Sequence, residues 1–590
     1  TLTIIDQSVK RINSKVTLKK EEINIDNLSL KDPKTFSLLQ RGETTAIFQL
    51  ESRGMRDYLK QLIPNDFEDI VSMNALYRPG ALGMNMVDSY INRKHGKEEV
   101  TYGHEAVKKI LSTTYGVIVY QEQVMQIAHE LSGFSLGEAD ILRRAMGKKK
   151  KEEMESLRST FVDGAVKKGV NESYAANLFD QIEQFAGYGF NRSHSVGYAL
   201  IAYQTAWLKA HYPAEFMASV LSCDLGNTDN IQLFVDDCKN IGLVVDSPDI
   251  NKSSYRFEDL DSKTILYGLG AIKGIGESLV DQIILERKNE KFKDMYDFCT
   301  RVGFNRINKR ILTTLIGSGA LDSLGKREDL FRRIDSCLKN AEQVSERNKS
   351  NIKDLFGEET IAPLDNNINE DIEFDEVSAE WSSLGFYLDS HPLENKKREV
   401  RKMCGFFISE LQSEAHSQRI AGCLMQFNVR SGRRGRFAFA TLDDGSAKIE
   451  VSIWADVFER YRNLLKKGHI LVVEGMIDKD DYSDSVKYKM IAERILTFDQ
   501  ARHEYIKNIK IDIEENINDT QSIIDSLKEI ANSDEGNSIL ISYKGNLAKA
   551  DIALPSNYSV KLDDTSIKAL VKRFGADNLE FVYHTQNHVN

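Results

Sequence analysis

The sequence predicts a multidomain chain: mainly α-helical up to about residue 405, then a β-barrel, then a small α/β unit. Three observations carry this. Apolar residues recur at helical spacing through the first part, as in VGYALIAYQTAWLKAHYPAEFMASVL. From about 406 to 502 the pattern changes to alternation of apolar and polar residues between glycine turns. At 590 residues there is room for roughly four domains. A hydrophobic content of 41% and a charged content of 28% are those of a globular protein. No apolar run reaches membrane-spanning length and no signal peptide is read at the start, so nothing membrane-like is expected. The six cysteines are scattered and never form CxxC. That pattern argues against a disulfide framework or a zinc site and points to the reducing cytoplasm.

The first residue is Thr1, so the sequence reads as a processed protein or a piece of a longer one. TLTIIDQSVKRI is helical from the start. The run TTAIFQL is strand-like and leads through Glu51, Ser52, Arg53 and Gly54 into a helix. In LYRPGALG, Pro79 pushes Arg78 out of helical geometry, and Gly80 and Gly83 loosen the turn, which suits an arginine presented from a loop. YGVIVYQEQVMQIAHELSGF reads as a short β-like run turning into an amphipathic helix. His129-Glu130 lacks the second histidine of a metalloprotease helix.

The stretch from Leu142 to Tyr203 organises the rest. Between 143 and 151 stand Arg143, Arg144 and Lys148 to Lys151, six cations without an acid. Such a surface stays in water or meets a polyanion. Beyond it, FAGYGFNRSHSVGYA carries Asn191, Arg192, Ser193 and His194 among Gly187, Gly189 and Gly197. These glycines let backbone approach a ligand, and Ser193 or Ser195 can cap a helix starting near Val196. Arginine forks, lysine charges and free amides together suit a triphosphate or a nucleic-acid backbone.

LRRAMGKKK, FAGYGFNRSHSVGYA and QTAWLKAHYPAEFMA resemble the fingers region of the bacterial DNA polymerase III alpha-subunit family, the C-family replicative polymerases. The resemblance implies a DNA-directed DNA polymerase in which Arg78, Arg143, Arg144 and Lys148 hold the triphosphate of an incoming dNTP. Asn191, Ser193 and His194 would shape its pocket, and Lys149 and Lys150 would touch DNA. Polymerases of this family bind two Mg2+ ions on three palm aspartates. By resemblance those lie before Thr1, with the palm, thumb and PHP domains. Asp88, Asp140 and Asp443-Asp444 sit in other contexts, so neither a catalytic nor a metal-binding residue is expected here. Alternatives are a stand-alone nucleic-acid-binding or scaffold remnant and an error-prone paralogue.

On this reading residues 1–225 are the fingers and 226–325 a helix-hairpin-helix domain. There LYGLGAIKGIGESLVDQIILER places Lys273, Gly274 and Gly276 against duplex phosphates. A dinucleotide-binding GxGxxG is not met, and a partner hairpin is expected in NKRILTTLIGSGALDSLG. Residues 326–405 read as helices and a linker. Positions 352 to 380 hold ten acids and one lysine, a net of −9 out of −11, so the rest of the chain is near neutral. NIKDLFGEE within it resembles the sliding-clamp peptide, with Asp354, Leu355 and Phe356 as clamp contacts, although Ile352 stands where the family has glutamine. Residues 406–502 suit a five-stranded OB-fold whose arginine hairpin, including Arg433 and Arg434, could contact single strands. Phe437, Phe439 and Trp454 are expected mostly in its core. Residues 503–590 are, by resemblance, where the tau subunit of the clamp loader docks. The implied partners are thus primer-template DNA, dNTP, the beta sliding clamp and tau.

Overall fold

The computed structural model describes residues 1–15, 22–148, 151–185, 189–350, 374–389, 391–412, 416–433, 435–479, 488–514, 520–530, 536–544, 549–562, 564–575 and 578–584. It divides into two compact units: 1–311, 319–325 and 336–360 in one, 312–318, 326–335 and 361–590 in the other.

The first unit opens with α1 Leu2–Ser14, α2 Pro33–Gln40, α3 Arg53–Leu62, α4 Phe67–Leu76, α5 Pro79–Gly83, α6 Met86–Lys94 and α7 Glu105–Leu111. It continues with α8 Gln121–Ser132, α9 Leu136–Lys148, α10 Lys151–Lys167, α11 Glu172–Phe185, α12 Arg192–His211, α13 Pro213–Cys223 and α14 Thr228–Asn240. The start signals are local. Asp32, Ser52, Asp66, Asn191 and Asn227 each accept a first-turn amide with the side chain, worth about 1 kcal/mol apiece. Helix α12 is the spine. Its Ala199, Ala202 and Ala206 are fully buried, and their small size lets α4 and α2 pack close against it. Helices α8 to α11 share a second core in which Phe134, Phe161 and Phe179 meet edge to face or tilted, centroids 6.2 and 5.3 Å apart.

Three short strands follow, β1 Val244–Asp246, β2 Glu258–Asp259 and β3 Thr264–Leu266. They are ordered β1-β3-β2, with β3 parallel to β1 and antiparallel to β2. Then come α15 Glu277–Asn289, α16 Met295–Val302 and, from residue 336 on, α19 Ile334–Ser350, whereas α17 Lys309–Gly317, from residue 312 on, and α18 Arg327–Arg332 fall in the second unit.

In the second unit, α20 Glu376–Leu384 and α21 Lys397–Cys404 precede a closed barrel. Its strands are β4 Gln418–Gly432, β5 Gly435–Asp443, β6 Lys448–Ile453, β7 Ile470–Lys479 and β8 Tyr488–Thr497, with α22 Ala455–Tyr461 between β6 and β7. The order β4-β5-β6-β8-β7 closes through β7–β4 pairing, and only β6–β8 is parallel. Gly475 is required there, because a Cβ would lie 2.0 Å from the Ile491 carbonyl oxygen where β7 bulges against β8. Helix α23 Phe498–Tyr505 leads to β9 Ile506–Glu514, α24 Thr520–Ile530, β10 Ser538–Lys544, β11 Lys549–Ala553, α25 Asp564–Phe574 and β12 Leu579–Tyr583, a sheet ordered β11-β10-β9-β12.

Three local expectations change. TTAIFQL is a set of tight turns rather than a strand: Ala46 and Gln49 are left-handed, and the Thr44 hydroxyl donates to the Leu50 carbonyl at 2.5 Å. That bond takes an acceptor a sheet would have used, while Ile47 and Leu50 are driven fully inside. The run before α8 makes only a single bridge, Tyr120 to Phe190. The helix-hairpin-helix opens with a single 3-10 turn, Leu269–Ala271, rather than a full helix. Gly268 and Gly270 are tied to packing, since Cβ atoms would meet the Arg256–Phe257 backbone and the Tyr255 ring.

Candidate nucleotide and nucleic-acid interface

Arg78 occupies the N-cap of α5 at φ −147°, ψ 152°, the extended geometry that Pro79 imposes. Its guanidinium lies 3.3 Å from the centroid of the Phe190 ring, and one Nη is buried with no hydrogen-bond partner. Desolvation pushes its pKa down, yet an arginine stays cationic at neutral pH. A half-buried guanidinium stacked on an aromatic face and, among the described residues, lacking an acid is costly. A bound anion would relieve that cost.

Beside it begins α12. The cap is Asn191, whose Oδ1 accepts from the His194 amide at 2.9 Å; the expected serines do not cap. The helix starts four residues earlier than expected because Asn191 is also anchored from below. Its Nδ2 donates to Glu122 at 2.7 Å, and the Arg192 amide donates to the other oxygen of Glu122 at 3.0 Å. The Arg192 side chain pairs with Glu68 at 2.7 Å. Ser195 is buried, its hydroxyl donating to the Val71 carbonyl at 2.6 Å. Asn191 therefore serves the fold first, while Ser193, His194 and Gly197 form an exposed stripe on α12. Nothing would stand within 4 Å of a Cβ at Gly197, so backbone is open there. Gly189 differs: a Cβ would meet Phe185 and Gln121, so it is a packing glycine, and Gly187 lies outside the described residues.

Helices α8 and α9, 12 and 13 residues long, are joined by a three-residue turn through left-handed Gly133. They pack along Val124, Ile127, Ala139, Leu142 and Ala145. A short connection makes such neighbours antiparallel. The end of α9, with Arg143, Arg144 and Lys148, thus returns toward the start of α8 and its bridge to Phe190. Both arginines pair with one carboxylate, Asp140, at 2.9 and 2.8 Å. The hydrogen bond from Arg143 lowers the Asp140 pKa against a small desolvation penalty. The cationic run is therefore partly neutralised by an acid three and four residues upstream. The side chain of Lys148 and all of Lys149 and Lys150 lie outside the described residues.

In the hairpin before α15, Lys273, Gly274 and Gly276 are exposed around buried Ile275. Gly274 has φ +78°, and both glycines face open space, leaving backbone amides reachable by a phosphate. On the barrel, β4 and β5 run beyond the closed wall as a two-stranded arm, paired to Gly432↔Gly435, with Arg433 exposed at its tip and Arg434 outside the described residues. The aromatics there are not core. Ala438 and Ala440 point inward, so Phe437 and Phe439 point out, clustering with Trp454 at centroid separations of 5.5 to 6.4 Å. Trp454 is 49% exposed, and Arg430 lies 5.5 Å over Phe439. The sequence pattern alternated correctly but did not say which parity faced inward. Asp354, Leu355 and Phe356 lie outside the described residues. Among the described residues no helix is long and apolar enough to cross a membrane.

A helical unit with an arginine that has no acid partner among the described residues, a glycine hairpin and a closed five-stranded barrel bearing an arginine–aromatic face together define the class, a multidomain chain whose separate modules each present groups suited to a polyanion. The family model described as bacterial DNA polymerase III alpha subunit finger domain matches residues 1–169, a helix-hairpin-helix motif matches 242–342, and an OB-fold nucleic acid binding domain matches 419–497. Over 99% of its length the chain is 40% identical to DNA polymerase III subunit alpha of Vibrio cholerae and of Escherichia coli K12, and 39% identical to that of Pseudomonas aeruginosa. The chain is thus similar over almost its whole length to a portion of these alpha subunits, and it spans about half, 52%, of their length.

Proposed function

We propose that this chain supplies the incoming-nucleotide and template-primer contacts of a replicative DNA-directed DNA polymerase. The observation that carries the reading is Arg78, a stacked, half-buried guanidinium with an unsatisfied donor, beside the exposed Ser193–His194 stripe at the head of α12. Arg78 would bind the triphosphate, with Arg143, Arg144 and Lys148 contributing positive potential. Their role is to align the phosphates and offset their charge. The hairpin at Lys273, Gly274 and Gly276 would hold duplex, and the Arg433 arm with Phe437, Phe439 and Trp454 would stack and track a single strand.

The acids paired with Arg143, Arg144, Asn191 and Arg192 do not suit the two Mg2+ ions of such an enzyme. Asp140 is held by two arginines, Glu68 by Arg192, and Glu122 by Asn191 and the Arg192 amide. Magnesium and catalytic carboxylates would come from outside this chain, which alone would be inactive. The sequence at Asp354, Leu355 and Phe356 supports a contact with the beta sliding clamp. Resemblance supports tau docking on residues 503–590 and a cytoplasmic setting.

The test is photocrosslinking of a triphosphate analogue to the chain fused to a polymerase palm on primer-template, followed by peptide mapping. Labelling within residues 78 to 194 is the expected result. Labelling confined elsewhere would overturn the site.

A further inference from the structure

A column of rings runs behind the candidate pocket. Arg78 caps Phe190 at 3.3 Å; Phe190 meets His194 at 5.3 Å; His194 meets Tyr198 at 4.3 Å and 40°; Tyr198 meets Phe48 at 5.2 Å. His194 and Tyr198 are one turn apart on α12, so their contact is built into the helix. Phe48 comes from a distant segment, and the protein spends unusual geometry to put it there. Its turn contains two left-handed non-glycine residues, Ala46 and Gln49. The Phe48 amide donates to the Thr205 hydroxyl at 3.3 Å. The fully buried Lys209 ammonium clamps the same turn, donating to the Glu43 and Thr45 carbonyls at 3.0 and 2.9 Å and pairing with Asp237 at 2.7 Å. Strained backbone persists only where its surroundings over-determine it, and these bonds fix the turn that carries Phe48 as well as the buried Ile47 and Leu50.

We propose that Phe48 and Tyr198 are positioning residues of the nucleotide pocket: they back the column and fix the plane of the His194 imidazole against the incoming nucleotide. The inference rests on the nucleotide reading of the site. Neither residue touches the ligand. Removing either ring leaves His194 present but free to rotate.

The test uses the 590-residue chain with 13C-labelled histidine, His194 being assigned from a His194→Gln variant. Tyr198→Leu is expected to move the His194 ring signal and weaken binding of a fluorescent deoxynucleoside triphosphate roughly three- to tenfold, the worth of one aromatic pair. Tyr198→Phe restores both, and Phe48→Leu acts in the same direction without altering the circular dichroism of the chain. An unmoved His194 signal in Tyr198→Leu, or equal losses in Tyr198→Leu and Tyr198→Phe, would overturn the column. A wild-type chain that binds no triphosphate overturns the nucleotide reading instead, while the His194 signal, which needs no nucleotide, still decides the column.

Discussion

Replacing Arg78 separates a functional arginine from a structural one. Its guanidinium stacks on Phe190 and leaves an Nη without a partner, so in the free chain it makes few interactions that hold the fold. Arg78→Ala loses the stacking but also removes a desolvated charge, and stability should change by no more than about 1 kcal/mol. With a triphosphate present, the same change deletes charge-assisted hydrogen bonds worth roughly 1.5–3 kcal/mol, a loss of about 10- to 150-fold in affinity. Arg78→Lys keeps the charge but not the planar fork or the ring contact, so it should fall between. The assay is titration of a fluorescent deoxynucleoside triphosphate, with thermal unfolding of the same samples. A loss below about threefold in Arg78→Ala, or full replacement by lysine, would refute the reasoning, as would a melting temperature that falls in step with affinity.

Four further outcomes follow from individual contacts. Asp237→Ala strands the buried Lys209 ammonium and should cost about 3–5 kcal/mol in urea unfolding. Gly274→Ala forces a Cβ into a left-handed position at φ +78°, which costs about 1–2 kcal/mol and should weaken duplex binding in a gel-shift titration. Burial raises the Asp32 carboxyl, but the Thr35 hydroxyl and amide and His211 outweigh it and hold the pKa below its usual value. A depressed carboxyl stabilises above the unfolded value of about 4 and loses that contribution as pH falls through the folded one, so wild type should lose stability on acidification more steeply than Asp32→Asn. Asp140→Asn releases Arg143 and Arg144 from their shared acid and should tighten polyanion binding in low salt, with the gain fading as salt shortens the Debye length to about 10 Å near 0.1 M.

What the sequence disclosed depended on how local the cause was. Pro79 alone dictated the extended backbone of Arg78, and the change of period near residue 406 alone disclosed the barrel. The α12–α13 pair followed from apolar spacing broken by Pro213. The failures were non-local. TTAIFQL has strand composition, but a Thr44 hydroxyl bond and a clamp from Lys209, more than 150 residues away, fold it into turns. Asn191 displaced the serines as cap because Glu122, on another helix, holds its amide nitrogen. Glu68, Glu122 and Phe190 were missed as partners of Arg192, Asn191 and Arg78 because a lone acid or ring carries no mark in sequence, and Tyr198 reads there as core. One signal was available for Arg143 and Arg144: Asp140 stands at the i,i+3 and i,i+4 spacings at which helical charges meet.

That pairing changes which cation does what. A run of six positive side chains is the loudest feature of the sequence, yet two of its members are shared out to one carboxylate at the surface, where such pairs are worth about 0–1 kcal/mol. Exposed, exchangeable charge of this kind acts at a distance, raising the local concentration of polyanion and answering to salt. Arg78 is the opposite case, a single charge pre-oriented by Phe190 and partly stripped of water, which acts only at hydrogen-bond range. Steering needs many replaceable charges and tolerates a nearby acid; alignment of one phosphate needs a fixed donor and no acid at all. On the proposed reading the two demands fall to different residues, steering to Arg143 and Arg144 near the end of α9 and alignment to Arg78 where α5 begins.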